Sequence, residues 1–461
     1  MMNNSIKVHF LGAAETVTGS KYLIETSNHK ILVDCGLFQG LKKLRVKNWE
    51  HLPVNANEVD VVLLTHGHLD HSGYLPRLVK NGFKRSILGT EPTLDIASII
   101  LKDSGKIQEE YAKRANKEGF TSHSPAEALY TIDDAEKAIT HFRSVTEGEW
   151  INLFDGIQVR FQYNGHIIGA TFIELDIHGE RLVFSGDIGR PEDLLMEAPK
   201  KPKQADYLFI ESTYGDRLHE EEDLEEKLKQ IVITTVENGG TLIIPSFAVE
   251  RAQTLMYILW QLRLKNKIPL VEMVMDSPMG VNVLEVFLRN EKWHKLTHEE
   301  CTEMCSNFRV VETYKETWEV IDKKEPKIII AGSGMITGGR VLTYLEQYID
   351  QPETAVLLAG YQAEGTRGRQ LLEGNTEIKI NGKYYAVNAK IYNIQSLSAH
   401  ADQQELLDWM SDIEKAPKET FIVHGEAQVA DKFRVKIKDH LGWKCSIPEL
   451  YSIHELELNS K

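Results

Sequence analysis

Hydrophobic and polar positions change rhythm twice along this chain. From Ile6 to about Glu211, short apolar runs of strand length dominate. "IKVHFLG", "KYLIET", "KILVDCG" and "VDVVLLTH" come first, and "VRFQYNGH", "TFIELDI", "RLVFSGD" and "YLFIEST" follow later. Turn residues bound each of them, which predicts strands. Between the two sets, longer patterns predict helices over about 91–116 and 132–142. From about Gly215 the rhythm becomes an alternation of long helical patterns ("DLEEKLKQIVITTVENGG", "AVERAQTLMYILWQLRLK", "RVLTYLEQYID") with short apolar strands ("TLIIPSF", "KIIIAGSG", "AVLLAGY"). Such alternation predicts a parallel α/β sheet. After about Lys390 the mixed pattern resumes with "IYNIQSLSAH" and "TFIVHGE", each followed by a helix. The simplest arrangement is one domain interrupted by another.

Composition narrows the class. A chain of 461 residues accommodates two domains, and 42% hydrophobic with 26% charged residues fits a globular protein with a sizeable core. No apolar run approaches the length of a membrane span, and "MMNNSIKVHF" lacks the basic and apolar segments of a signal peptide. A cytoplasmic location without membrane attachment is the expectation. Cys35, Cys301, Cys305 and Cys445 form no disulfide framework or paired knuckle and read as reduced thiols. The net charge of −15 argues against broad, non-specific coating of nucleic acid, although a locally basic cleft remains compatible with it.

The chemistry concentrates in "THGHLDH", where His66, His68, Asp70 and His71 follow an apolar strand. Imidazole and carboxylate suit zinc, and a sharp turn after a strand lets neighbouring side chains converge. Four candidate ligands exceed what one catalytic ion with an open position requires, and they suit two ions sharing a site. Further ligands stand at strand ends, each just before or between glycines: His166 after "VRFQYNG", Asp187 after "RLVFSG" and His424 after "TFIV".

Together these motifs resemble the metallo-β-lactamase superfamily: Asp34 in "LVDCG", the HxHxDH run, His166 in "GHIIGA" and Asp187 in "FSGDIGR". "ESTYGDR" with Glu211, "SLSAHAD" with His400 and "IVHGE" with His424 are similar to motifs A, B and C of its β-CASP branch of nucleic-acid-processing nucleases. "GGTLIIPSFAVERAQ" and "AGSGMITGGRVLTYL" resemble the inserted β-CASP domain. The likeness runs from about Lys7 to Glu426, with the motifs in the family order.

The resemblance implies an α/β fold: an αββα metallo-β-lactamase sandwich over 1–214 and 391–461, with an α/β β-CASP domain inserted over 215–390 and capping the site. It implies two zinc ions per chain. One takes His66, His68 and His166, the other Asp70, His71 and His424, and Asp187 bridges them. Asp34 is expected to hydrogen-bond a ligand. The implied reaction is hydrolysis of an RNA phosphodiester by a metal-activated hydroxide. His400 is the implied general acid, held protonated by Glu211. Ser333 and Gly334 in the Gly-rich turn, with Thr366 and Arg367 in "GYQAEGTRGR", are expected to contact the substrate backbone. Here the family often carries Ser-Pro before Gly-Met, whereas this chain has Gly332-Ser333.

A histidine at motif C resembles the RNA-processing members; the Artemis-type DNA nucleases tend to carry valine there. "THGHLDHSG" resembles the mRNA 3′-end-processing endonuclease type. The expectation is therefore a zinc-dependent endoribonuclease acting on single-stranded RNA, with a homodimer compatible. A thioesterase- or lactamase-type hydrolase and a non-catalytic RNA-processing scaffold are the alternatives. The inserted domain, Glu211 and His400 argue against the first, and the complete ligand set against the second. A His/Asp site of this kind also accepts manganese or iron.

Overall fold

The computed structural model describes residues 5–119, 125–219, 223–247, 249–394 and 397–458. Ala248, Gln395 and Ser396, which fall within motifs quoted above, lie outside the described residues. The chain forms two compact units. One comprises Met1–Gln39, Lys43–Leu218 and His400–Lys461, the other Gly40–Lys42 and His219–Ala399.

The first unit holds two seven-stranded sheets. From edge to edge, one runs Ile453–Leu456, Ile6–Phe10, Tyr22–Glu25, Lys30–Val33, Val61–Leu63, Ser86–Thr90 and Phe142–Val145. The other runs Cys445–Ser446, Glu419–Val423, Tyr207–Glu211, Glu180–Phe184, Thr171–Ile177, Ile157–Tyr163 and Trp150–Phe154. Their inner faces meet in one core, with Val8, Phe10, Ile24 and Val33 from the first sheet and Phe161, Ile173, Phe184 and Phe209 from the second. On the outer face of the first sheet, Leu32, Val62 and Ile87 pack with helix residues Leu75, Leu78, Leu101 and Ala135. On the outer face of the second, Val183, Leu208 and Ile422 pack with Leu406, Trp409, Phe433 and Ile437 of helices Gln403–Met410 and Ala427–Leu441. Helix, sheet, sheet and helix layers thus stack as the expected αββα sandwich.

Local sequence explains these elements. Strand Ile157–Tyr163 alternates buried and more exposed positions, as a strand near a sheet edge must. Val61–Leu63 and Tyr207–Glu211 are buried throughout, because helices cover the face away from the core. Helix Ile132–Ile139 starts at a capping box of Thr131 and Asp134. It ends earlier than the periodicity predicts: Phe142 opens strand Phe142–Val145, because it pairs in parallel with Ile87 and packs on the outer core.

The second unit is built on a six-stranded, all-parallel sheet in the order Arg309–Val311, Glu272–Asp276, Lys327–Ala331, Thr241–Pro245, Ala355–Ala359 and Lys390–Ile394. Three of the four inner strands are fully buried, which accounts for the dense apolar residues within them. The sequence pattern closes the insertion at Lys390, and here strand Lys390–Ile394 still pairs with Ala355–Ala359. Parallel strands bring all carboxyl ends to one edge, where open α/β sheets present their binding loops. All four cysteines are free, and no described helix is long and apolar enough to cross a membrane.

Candidate metal centre

In the first unit the strand ends deliver seven potential ligands to one place, in groups of His66, His68, His166 and Asp187 and of Asp70, His71 and His424. Each arrives by a defined turn. His66 follows strand Val61–Leu63, and Asp70 and His71 sit in the single helical turn Leu69–Ser72. His166 is positioned by Asn164, whose amide donates to the carbonyls of Ser185 and Asp187 at 2.6 Å each. The His166 and Asp187 loops are thereby tied together. His424 follows strand Glu419–Val423 with φ 51°, and Asp34 follows Lys30–Val33 with φ 57°. Left-handed Asp and His are uncommon, and their location here matches the tendency of backbone strain to collect at functional sites.

The spacing tests whether metal fits. A tetrahedral zinc with ligands at about 2.0–2.1 Å requires ligand–ligand edges of about 3.3–3.4 Å. His66 Nε2 stands 3.2 Å from His68 Nδ1, and His166 Nε2 stands 3.3 Å from the same atom. Asp187 Oδ2 lies 3.4 Å from His66 Nε2 and 3.6 Å from His166 Nε2. In the second group, His71 Nε2 lies 3.1 Å from His424 Nε2, and Asp70 Oδ2 lies 3.5 Å from the latter. Asp187 Oδ1 is buried without a hydrogen bond, although His71 Nε2 is 3.2 Å away. Nitrogen and carboxylate atoms that converge at coordination-edge distances around a buried, unsatisfied oxygen fit a divalent metal.

The ligands are oriented from behind. Asp34 Oδ2 lies 2.7 Å from His71 Nδ1, and Asp34 Oδ1 accepts from the Thr65 amide at 2.8 Å. Thr65 Oγ1 lies 3.1 Å from His66 Nδ1, and Thr213 Oγ1 lies 3.3 Å from His424 Nδ1. Each contact engages the ring nitrogen opposite Nε2 and so fixes which nitrogen faces the site.

Electrostatics split the two groups. Burial, reinforced by neighbouring imidazoles, holds His66 and His166 well below the usual histidine range, and burial takes His68 down to about 4. For His71 burial acts in the same direction, but the Asp187 and Asp34 carboxylates outweigh it and raise it well above that range. Burial would push Asp70 and Asp187 up; the surrounding histidines overcome it and hold both carboxyls below the usual range.

Beside this cluster stands a second pair. Glu211, fully buried at the end of strand Tyr207–Glu211, lies 3.2 Å from His400 Nδ1. Its Oε1 also accepts from the Ile188 amide at 2.6 Å. His400 bridges to Gly189, and the Ala401 amide donates to the Ile188 carbonyl at 2.8 Å, so its backbone is fastened to the Asp187 loop. The His400 ring centroid is 4.5 Å from that of His166. Burial opposes protonation of His400, but the Glu211 carboxylate prevails and its pKa is raised. Asp402 caps the following helix, so His400 is not spent on capping it.

The remaining candidates lie in the second unit. Ser333 Oγ accepts from the amides of Thr337 and Gly338 at 3.0 and 3.2 Å, closing the Gly-rich turn on itself. Thr366 Oγ1 caps helix Arg367–Leu372 through the Arg369 amide. Arg367 donates to the carbonyls of Lys379 and Ile336 at 2.6 and 3.0 Å, and Gln362 donates to Gly334 O at 3.2 Å. These contacts bring the Ser333–Gly334 turn and the Thr366–Arg367 turn side by side at the carboxyl edge of the sheet.

Sequence reasoning passed over Thr65, Thr213, Asn164 and Ser185, the last of which accepts a hydrogen bond from the Glu211 amide at its Oγ, at 3.0 Å. Each stands within two residues of a singled-out ligand or carboxylate, and that adjacency was the only signal available.

Comparison with known proteins bears on the same residues. Residues 16–230 match the Metallo-beta-lactamase superfamily, 252–371 the Beta-Casp domain and 384–448 the Zn-dependent metallo-hydrolase RNA specificity domain. The chain is 33% identical over 427 residues to Ribonuclease TTHA0252 of Thermus thermophilus, covering 90% of this chain and 92% of that one. It is 32% identical over 438 residues to Transcription termination factor FttA of Methanocaldococcus jannaschii, covering 91% and 67%. An RNase J-like protein of Methanocaldococcus jannaschii is 29% identical, covering 94% and 95%. A solved structure of a protein of unknown function from Enterococcus faecalis V583 overlays with a TM-score of 0.53 at 14% identity over 98% of this chain and 100% of that one, a likeness of fold.

Proposed function

The chain belongs to the β-CASP branch of the metallo-β-lactamase superfamily, and we propose that it works there as a ribonuclease that hydrolyses phosphodiester bonds of single-stranded RNA, as an endonuclease with two zinc ions. The observation that carries this reading is Asp187, whose Oδ2 faces His66 and whose Oδ1 faces His71, next to the Glu211–His400 pair. His66, His68 and His166 would hold one ion, Asp70, His71 and His424 the other, and Asp187 both. When bound, such ions supply an activated water and draw charge from the phosphate oxygens.

The chain's own groups do the rest. Asp34, Thr65 and Thr213 keep ring nitrogens aimed inward. Glu211 engages His400 at Nδ1, which turns Nε2 away from the carboxylate and favours a protonated ring. A proton on Nε2 is then available to the oxygen that leaves phosphorus. Residues 1–214 and 391–461 would carry this chemistry. The inserted 215–390 would present Ser333, Gly334, Thr366 and Arg367 to the substrate backbone, with small residues and amides at a carboxyl sheet edge supporting such contacts. RNA as substrate class draws on the RNA specificity domain match and on the ribonuclease among the relatives. Free thiols suit a reducing cytoplasm. A homodimer is compatible with the reading and no part of it.

The test joins metal analysis to cleavage. Circular RNA, linear single-stranded RNA, single-stranded DNA and a small thioester are offered to the zinc-loaded protein. Cutting of the circle is expected, since a circle has no end for an exonuclease. In His400→Ala the rate is expected to fall by about 10²–10⁴ with zinc content unchanged. Thioester turnover with RNA intact would overturn the ribonuclease reading, and loss of zinc in His400→Ala would overturn the role of that residue.

A further inference from the structure

Lys21 stands in the turn before strand Tyr22–Glu25 and is only 2% exposed. Its Nζ donates to the carbonyls of Gly19 at 2.9 Å and Gly36 at 2.6 Å. The ammonium also lies 4.5 Å from the Phe38 ring centre and 5.5 Å from that of Tyr74. Among the described residues it forms no ion pair with a carboxylate, so carbonyls and ring faces must offset the cost of burying the charge. Neither carbonyl receives a backbone N–H among the described residues, so both depend on this one side chain.

Those carbonyls belong to the two segments that underlie the second ligand group. The Ser20 amide donates to Asp70 O at 2.8 Å, the Cys35 amide to His71 O at 2.7 Å and the Leu37 amide to Leu69 O at 3.0 Å. The Gly36 amide closes the circuit to Ser20 O at 2.9 Å. The packing leaves no slack: a Cβ on Gly36 would fall 1.5 Å from Asp70 O, and one on Gly12 would fall 1.7 Å from Gly19 O. The segment that Lys21 holds begins with Asp34, the partner of His71 Nδ1.

We propose that Lys21 is a positioning residue for the second metal: it clasps the Gly19 and Gly36 segments together beneath Asp70 and His71, so that Asp34 keeps His71 Nε2 turned to the ion. The proposal rests on the two-ion reading above. His166 and Asp187 are anchored separately through Asn164, and Asp34 touches His71 directly but His66 only through Thr65, so the effect should be selective for the second ion.

The full-length, zinc-loaded protein is titrated with a chelator as wild type, Lys21→Met and Lys21→Gln. In Lys21→Met one zinc is expected to leave at about 10–100-fold lower chelator while the other is held as in wild type. Lys21→Gln, one atom shorter and able to reach one carbonyl, should show a smaller selective loss. A second readout uses metal-free protein with labelled histidine: the His71 Nδ1 proton should exchange with solvent faster in Lys21→Met than in wild type. Variants that hold both ions as wild type does, or that lose them in parallel, would overturn the proposal. Should Lys21→Met not fold, Lys21→Gln decides on the same criterion. A wild type that binds fewer than two zinc ions overturns the two-ion reading instead. The His71 proton then decides alone, with unchanged exchange in the variants counting against the clasp.

Discussion

The group of His66, His68 and His166 and the group of Asp70, His71 and His424 both face Asp187, through Oδ2 and Oδ1, but differ in their electrostatics. In the first, burial and mutual repulsion among imidazoles keep the rings neutral, so their lone pairs are available at neutral pH. In the second, His71 lies between Asp34 and Asp187, and these carboxylates keep a proton on it in the metal-free protein. A carboxylate behind an imidazole therefore has two effects. It aims the ring and strengthens it as a ligand once metal is bound, and before that it makes the ion compete with a proton.

The comparison can be broken most severely at the shared residue. Asp187→Ala is expected to release both ions and to reduce RNA cleavage by more than about 10⁴-fold, beyond what loss of a single proton-transfer group produces. Elemental analysis beside a cleavage assay checks it, and retention of one ion would show the groups to be independent. Asp34→Asn acts directly on the second group, at His71 Nδ1, and reaches His66 only through Thr65. It should weaken the second ion by about 10–100-fold and leave the first in place, read by stepwise chelation.

Acidity sharpens the same contrast. His71 has a folded pKa above the ordinary value of 6.5, so zinc must displace its proton at any pH below the raised value. Affinity at the second group should climb by about tenfold per pH unit up to that value and then level off. The first group, with His68 at about 4 and the other two rings also lowered, should be nearly flat from neutrality down toward 4. Calorimetric titrations at several pH values test this, and parallel slopes for the two ions would contradict it.

The smallest expected effect concerns Lys21. Burial takes its pKa from 10.5 down to about 8. Between those values the unfolded chain binds the proton and the folded one releases it, so this residue's contribution to stability rises with pH from about 8 to 10.5. Denaturant midpoints of wild type and Lys21→Gln should therefore diverge in favour of wild type across that window.

The second unit presents the other kind of candidate. Its Ser333 and Thr366 turns converge through backbone carbonyls and amides, with Arg367 used to join them rather than held out toward solvent alone. Side-chain ligands such as those of the first unit announce themselves by residue type. A cradle made of backbone does not, because glycine, serine and threonine also build ordinary turns.

That difference explains what could be read in advance. Strand and helix rhythm showed a mixed domain interrupted by a parallel α/β one, since period and burial are properties of a few consecutive residues, whereas the sandwich was implied by the family resemblance. The candidate cluster was legible for a related reason: His66 to His71 crowd too many metal-binding groups into one turn, and His166, Asp187 and His424 repeat the same strand-end position, and these residues converge. The length of helix Ile132–Ile139 was not, because Phe142 is claimed by pairing with Ile87, a strand far from it in sequence. Nor was the placement of Lys21, whose charge in a strand-like stretch reads as a solvated position. Its burial follows from two glycine carbonyls brought under it by separate segments. His71 and His424, 353 residues apart, face each other at 3.1 Å for the same cause. Local pattern selects residue types and elements, whereas sheet order and register select partners. Register is settled only when distant strands bury their faces together.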